Sequence, residues 1–352
     1  MEFRAHGANP EKLYAAAGLP TPAKIYDFST NTNAVPQRGG FVPDLRAALE
    51  DYPDDDCLAL REALAREFGA PAKNILVSSG SNEAIYIIAS YAAARENLIL
   101  QPVYGEYKKA LDGYGARTRN IFSLAEAEGA RGAAVWLCNP CNPTGALIPG
   151  AELDAAAERN PETLFIIDEA YRDFVWTEEL PVAPKILPNV VRLRSLTKIY
   201  DLCGARVGAL IAHEAAVEKI KARQPEWSVS GLAQQAALWR AGDETLKART
   251  REYYAREIPR LTAALREAGY AVRPTCANFF LVETPDDEDF IRFMLEHGIV
   301  VRHTRNFAGL DGKFVRIAAR TKDEDDLLIA AAREYSKYRQ SIASQRHTHY
   351  VL

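Results

Sequence analysis

Two short runs in this chain are apolar at every position: Ala133-Ala134-Val135-Trp136-Leu137-Cys138 and Leu164-Phe165-Ile166-Ile167. Runs of that length with no polar face suit strands buried on both sides. Around them the pattern keeps switching between strand and helix periods. Residues 74–78 read as a strand, 82 to about 93 as a helix, 98–100 as a strand, and another helix opens near 106. Strands at 190–193 and 207–212 continue the series. Such alternation predicts an α/β fold with a mostly parallel sheet flanked by helices. Further on, a polar-rich helix from 246 to about 268 leads into a strand at 279–282, a helix at 287–296, strands at 299–301 and 314–317, and a last helix from about 323 to 338. These read as a smaller α+β domain. The expected division is a segment of residues 1–40 packing on the small domain, a large domain at 41–245 and the small domain at 246–352.

Composition narrows the function classes. A chain of 352 residues with 43 Lys and Arg against 47 Asp and Glu has a formal net charge of -4, and its basic residues are scattered. No nucleic-acid partner is expected from such a surface. Met1 to Gly7 lacks the apolar core of a signal peptide, and no apolar run approaches a membrane span, so the cytoplasm is the expected location and no membrane partner is expected. Five cysteines argue against a disulfide framework. Cys138 and Cys141 form a Cys-x-x-Cys, but no second pair accompanies them, and no metal site is expected. His347-Thr348-His349 has metal-compatible spacing yet reads as a frayed terminus.

Candidate chemistry gathers at strand ends. The first buried run enters Asn139-Pro140-Cys141-Asn142-Pro143-Thr144-Gly145, and the second ends in Asp168-Glu169-Ala170-Tyr171. Ligands of open α/β sheets sit beyond the carboxyl ends of strands, so Asn142, Asp168 and Tyr171 should converge. Arg194-Ser195-Leu196-Thr197-Lys198, followed by Gly204-Ala205-Arg206-Val207-Gly208, sets a lysine eight positions before an arginine. A Schiff-base lysine needs a depressed pKa, which cationic neighbours or burial supply, and Ser195 with Arg206 could cup a phosphate. Gly80-Ser81-Asn82-Glu83 follows a strand and opens a helix, where free N–H groups and the helix dipole receive anions.

The order of these three motifs resembles the fold-type I aminotransferase superfamily, whose cofactor is pyridoxal 5'-phosphate (PLP). The resemblance implies a homodimer and a set of roles. Lys198 would hold the cofactor covalently, Asp168 would face the ring nitrogen, and Asn142 and Tyr171 would bond its phenolic oxygen. Ser81, Asn82, Ser195 and Arg206 would hold its phosphate, and Tyr104, or else Tyr107, would stack on the ring. Asp51-Tyr52-Pro53 is similar to the segment whose tyrosine reaches the neighbouring subunit's phosphate, which implies shared active sites.

Within the superfamily, His6-Gly7, Asp27-Phe28-Ser29-Thr30-Asn31-Thr32-Asn33, the Trp227 segment and Arg316-Ile317-Ala318-Ala319-Arg320 look like the threonine-phosphate decarboxylase branch. That implies decarboxylation of a phosphorylated hydroxy-amino acid, L-threonine O-3-phosphate or L-serine O-phosphate, for the cobamide side arm. Arg316 would then bind the substrate carboxylate, and His6, Arg302 and Arg320 its phosphate. Histidinol-phosphate aminotransferases share most of the framework, so transamination is the alternative. A non-catalytic PLP-binding regulator is the third reading, although no basic recognition helix is visible.

Overall fold

A computed structural model describes residues 7–37, 39–178, 180–181 and 183–349, with side chains up to 341. A short strand, β1 (Tyr26–Asp27), precedes β2 (Ile75–Ser78), β3 (Glu96–Leu100), β4 (Arg117–Ile121), β5 (Ala134–Cys138), β6 (Leu164–Asp168), β7 (Val190–Ser195) and β8 (Gly208–Ala212). After a 24-residue helix, Glu244–Glu267, come β9 (Phe279–Glu283), β10 (Ile299–Val300), β11 (Arg302–His303) and β12 (Phe314–Ala318).

Strands β2 to β8 form a seven-stranded sheet in the order β2-β8-β7-β6-β5-β3-β4. The pairs from β4 through β7 are parallel, whereas β8 runs antiparallel to both its neighbours. The cause lies in the connection after β7. It carries only a single-turn helix, Leu196–Ile199, too short to cross over the sheet, so the chain returns in the opposite direction. Lys198 therefore sits in the return link between β7 and β8.

Every residue of β5 and β6 is buried, as their unbroken apolar runs require. The one polar atom in Trp136 is satisfied, because its indole N–H donates to Asn97 Oδ1 at 2.9 Å. β7 alternates instead. Val191 and Leu193 join the main core, while Arg192 and Arg194 turn to the other face and meet the buried Glu169 at 2.8 and 3.0 Å. Those two guanidinium groups hold the Glu169 carboxyl below its ordinary range despite the burial that opposes them.

Several elements carried no clear pattern. β4 reads Arg-Thr-Arg-Asn-Ile because it is the sheet's edge, where charge blocks further pairing. The helices Pro10–Ala17, Leu45–Glu50, Leu58–Phe68, Gly150–Arg159, Glu214–Lys221 and Gly231–Arg240 are short, and alanine at several positions blurs their period. The expected strand at 299–301 is two strands in different sheets: β10 pairs in parallel with β1, and β11 joins the antiparallel set β11-β12-β9. The last helix runs Lys322–His349, past the expected end near 338. No helix among the described residues is long and apolar enough to cross a membrane.

Candidate active site

β5, β6 and β7 end side by side, with Cys138 paired to Asp168 and Asp168 to Leu193. A cavity of about 240 Å³ opens beyond these ends. Asn142, Asp168 and Tyr171 line it, as strand-end placement predicted, and Lys198 joins them.

Asp168 is the buried acid of the cavity. Its Oδ2 accepts from the Tyr107 hydroxyl at 2.7 Å, and its Oδ1 accepts from the Ala170 N–H at 3.0 Å. Burial nevertheless pushes its pKa up, which makes it a more basic acceptor for a ligand N–H. Lys198 moves the other way. Its amine is pushed below the usual lysine range, by burial first and by Arg316 and Arg206 in addition, against Cys203 and Asp168. An amine in that position gives up its proton more readily than an exposed one.

Ser81 and Asn82 line the cavity at the start of the helix Gly80–Ala92, opposite Arg206. Gly80 has φ +76°, and a Cβ there would fall 2.6 Å from an Arg206 Nη. Only glycine leaves this turn and the guanidinium side by side. Arg206 itself is left-handed at φ 59° and is braced by the Cys203 carbonyl at 2.9 Å.

Arg302 and Arg316 reach the cavity from the second sheet, as directly opposed partners on β11 and β12. Arg316 donates to Asn142 Oδ1 at 2.6 Å and to the Ser29 carbonyl, and burial lowers its pKa. Arg302 donates to Asn306 Oδ1 at 2.8 Å and is pushed down to about 9, by burial foremost and then by Arg316. Tyr171 packs edge-on to Phe279 at 4.8 Å and accepts from Asn31 Nδ2 at 3.1 Å.

Between the two candidate stacking rings, Tyr104 lines the cavity, whereas Tyr107 lies beneath it as the hydroxyl donor to Asp168. Ser195 is not in the lining of the single chain. Its hydroxyl shares a 2.8 Å bond with Thr197 Oγ1, and Thr197 faces the cavity. Arg320 also stays outside the lining, because it donates to Thr32 Oγ1 at 2.9 Å. Tyr52 is 82% exposed, against Trp227 at 4.9 Å. His6 lies outside the described residues, although Gly7 and Ala8 line the cavity. Sequence reasoning assigned no role to Ser29, Thr30 or Asn31, which line it too. The signal was there, a run of hydroxyl and amide residues too polar for its burial. All five cysteines are free, and no cluster of three or more His, Cys, Asp or Glu among the described residues could hold a metal.

Comparison with known proteins agrees with this geometry. The family model for aminotransferase class I and II matches residues 24–333. The chain is 33% identical to the threonine-phosphate decarboxylase of Salmonella typhimurium, over 94% of this chain and 96% of that one. It is 31% identical to the histidinol-phosphate aminotransferase of Moorella thermoacetica, over 88% and 85% respectively. The crystal structure of L-threonine-O-3-phosphate decarboxylase from Porphyromonas gingivalis superposes with a TM-score of 0.75 at 28% identity, covering 84% of this chain and 93% of that one. A buried lysine just past β7 that shares its cavity with a buried acid, in a chain matched across most of its length, has one economical explanation: this protein is a PLP-dependent enzyme of the class I and II aminotransferase family.

Proposed function

We propose that the chain decarboxylates a phosphorylated hydroxy-amino acid, L-threonine O-3-phosphate first and L-serine O-phosphate second, to give an amino-alcohol phosphate of the kind used for the cobamide side arm. The carrying observation is the pair of opposed arginines, Arg302 and Arg316, buried in one cavity with Lys198. Two guanidinium groups suit a short substrate with an anion at each end, since each can make parallel charge-assisted bonds. The burial that pushes both below the usual arginine range would be offset by incoming anions.

The residues also fit the cofactor. The Gly80 turn and Arg206 leave a cradle that a Cβ would fill, and Asp168 is a buried acceptor beside an amine of lowered pKa. When bound, PLP supplies an aldehyde for amine condensation and a ring that accepts the electrons of a bond broken at Cα. Asp168 holds the proton on the ring nitrogen. Ser81, Asn82 and Arg206 would bind the phosphate, joined by Ser195 once its hydroxyl turns from Thr197, and Tyr104 would cover the ring. Tyr171 and Asn142 bond the phenolic oxygen, while Lys198 is the attachment point and carries protons at Nζ. Arg316 would clamp the substrate carboxylate and Arg302 would take the substrate phosphate with His6, joined by Arg320 on leaving Thr32. By fixing the carboxylate, this clamp would orient the substrate at Cα and so set which of its bonds the cofactor's chemistry acts on.

A second copy of the chain would complete the site through Tyr52. Val42, Leu45, Leu49 and Tyr52 are exposed on one segment, and Ala48 in that segment packs closely on Gly231. An apolar surface of this kind suits a partner subunit. The same reading keeps residues 41–245 as the PLP-binding domain, 246–352 as the small domain with 1–40 on it, and the cytoplasm as the location.

Transamination is the second reading, favoured by the 31% identity to a histidinol-phosphate aminotransferase. The test is to incubate the holoenzyme with each phosphorylated amino compound. Release of CO₂ from threonine phosphate supports decarboxylation. Stoichiometric conversion to the pyridoxamine form with histidinol phosphate, and no CO₂ from either amino acid, overturns it.

A further inference from the structure

The segment 27–33 belongs to no long element, yet it touches the parts of the cavity one after another. Asp27 Oδ1 fixes its turn by accepting from the Ser29 N–H at 2.7 Å and the Ser29 hydroxyl at 2.6 Å. The Ser29 carbonyl accepts from Arg316, and Asn33 Nδ2 donates to the Ile199 carbonyl at 3.0 Å, one residue past Lys198. Asn31 lies between these anchors. It is 3% exposed, and its Nδ2 donates to the Tyr171 hydroxyl at 3.1 Å.

A phenol oxygen that accepts a bond keeps its own proton for a second acceptor. The bond from Asn31 also makes that proton easier to share, because a donor on the oxygen favours the ionised form and works with Arg316 against burial. The other end of the amide points to function rather than packing. Asn31 Oδ1 is buried with no hydrogen-bond partner among the described residues, and a purely structural amide is ordinarily satisfied at both ends.

We propose that Asn31 is a positioning residue for Tyr171: its amide N–H occupies the phenol oxygen and so holds the phenol O–H as a donor to the ligand in the cavity. The inference rests on the proposed cofactor role of Tyr171. In that role the donated proton stabilises the phenolic oxygen of PLP and lowers the pH at which the lysine-bound cofactor changes colour.

The experiment is an absorbance titration against pH of four holoenzymes: wild type, Asn31→Leu, Tyr171→Phe and the double variant. Asn31→Leu should move the midpoint upward by about half a pH unit or more, in the same direction as Tyr171→Phe. In the Tyr171→Phe background the Asn31 change should add nothing, which a general packing defect would not reproduce. Asn31→Ser, which keeps a donor, covers the case in which the leucine variant does not fold, and it should fall between wild type and Tyr171→Phe. An unchanged midpoint in a folded Asn31 variant, or an equal shift in both backgrounds, overturns the inference alone. A wild-type protein with no titrating visible band overturns the cofactor reading and this inference with it.

Discussion

Gly208 is where the sheet and the proposed phosphate turn meet, and replacing it with alanine separates the two. It opens β8, paired with Ser78 on β2 and Ser195 on β7. A Cβ there would lie 2.7 Å from the Ser81 nitrogen, 3.0 Å from the Gly80 carbonyl carbon and 3.1 Å from the Arg194 oxygen. All three are backbone atoms, so no side chain can swing aside. Relief requires the turn at 80–81 to move away from the sheet by several tenths of an ångström, and overpacking of this kind costs about 1–3 kcal/mol of stability. If the Ser81 N–H is a phosphate donor, displacing it also removes a charge-assisted bond of about 1.5–3 kcal/mol. That is about 10- to 150-fold in PLP affinity.

The assay is fluorescence titration of apoprotein with PLP, alongside thermal unfolding of the apo form. Gly208→Ala should lower both the PLP affinity and the apo Tm. Gly204→Ala, in the same β7–β8 connection but with nothing within 4 Å of its Cβ, should change neither appreciably. An apo Tm that falls while PLP affinity stays within about twofold of wild type would refute the assignment of this turn to the phosphate.

Other consequences concern charge and assembly. The folded state holds a proton on Asp168 to higher pH than the unfolded chain does, so stability falls as pH rises between the unfolded value near 3.8 and the raised folded one. Apo Asp168→Asn should therefore be more stable than wild type at neutral pH in urea unfolding, with the gap closing towards pH 4; a gap independent of pH would contradict the raised pKa. Arg302→Ala should cut kcat/KM for the phosphorylated substrate by about 10- to 100-fold while sparing unphosphorylated analogues, and equal losses on both would remove the phosphate role. Mixing inactive Tyr52→Phe and Lys198→Ala variants should restore part of the activity through hybrid dimers, and no recovery after proven subunit exchange would count against shared sites.

What the sequence disclosed follows from how locally each feature is determined. β5 and β6 were legible because burial on both faces leaves an unbroken apolar run, and Asn142, Asp168 and Tyr171 followed from strand ends. β4 was not, because an edge strand solves its problem with charge and looks like a loop. The direction of β8 was hidden because it depends on the length of the link after β7, not on any residue within the strand. Placement against distant partners was hardest. Ser195 sits in its motif, but a bond to Thr197 two residues away turns Thr197 rather than Ser195 towards the cavity. Tyr107 reads as the alternative stacking ring, and only the fold brings its hydroxyl to Asp168, 61 positions further on.

Four cations, Lys198, Arg206, Arg302 and Arg316, line one cavity in which Asp168 is the acid among the described lining residues. The excess has a mechanical consequence at Arg316, whose described acceptors, the Asn142 amide and the Ser29 carbonyl, are both neutral. A carboxylate adds the attraction of an opposite formal charge to the same N–H geometry, so an arriving substrate carboxylate competes favourably for those N–H groups. Asn142 would then be released from Arg316 at the moment the substrate is clamped. In the proposed role of Asn142, that release would free its amide for the phenolic oxygen of PLP. On the proposed reading, Arg316 of the second sheet would tie the seating of a substrate carboxylate to the freedom of the Asn142 amide, because the two now share one hydrogen bond.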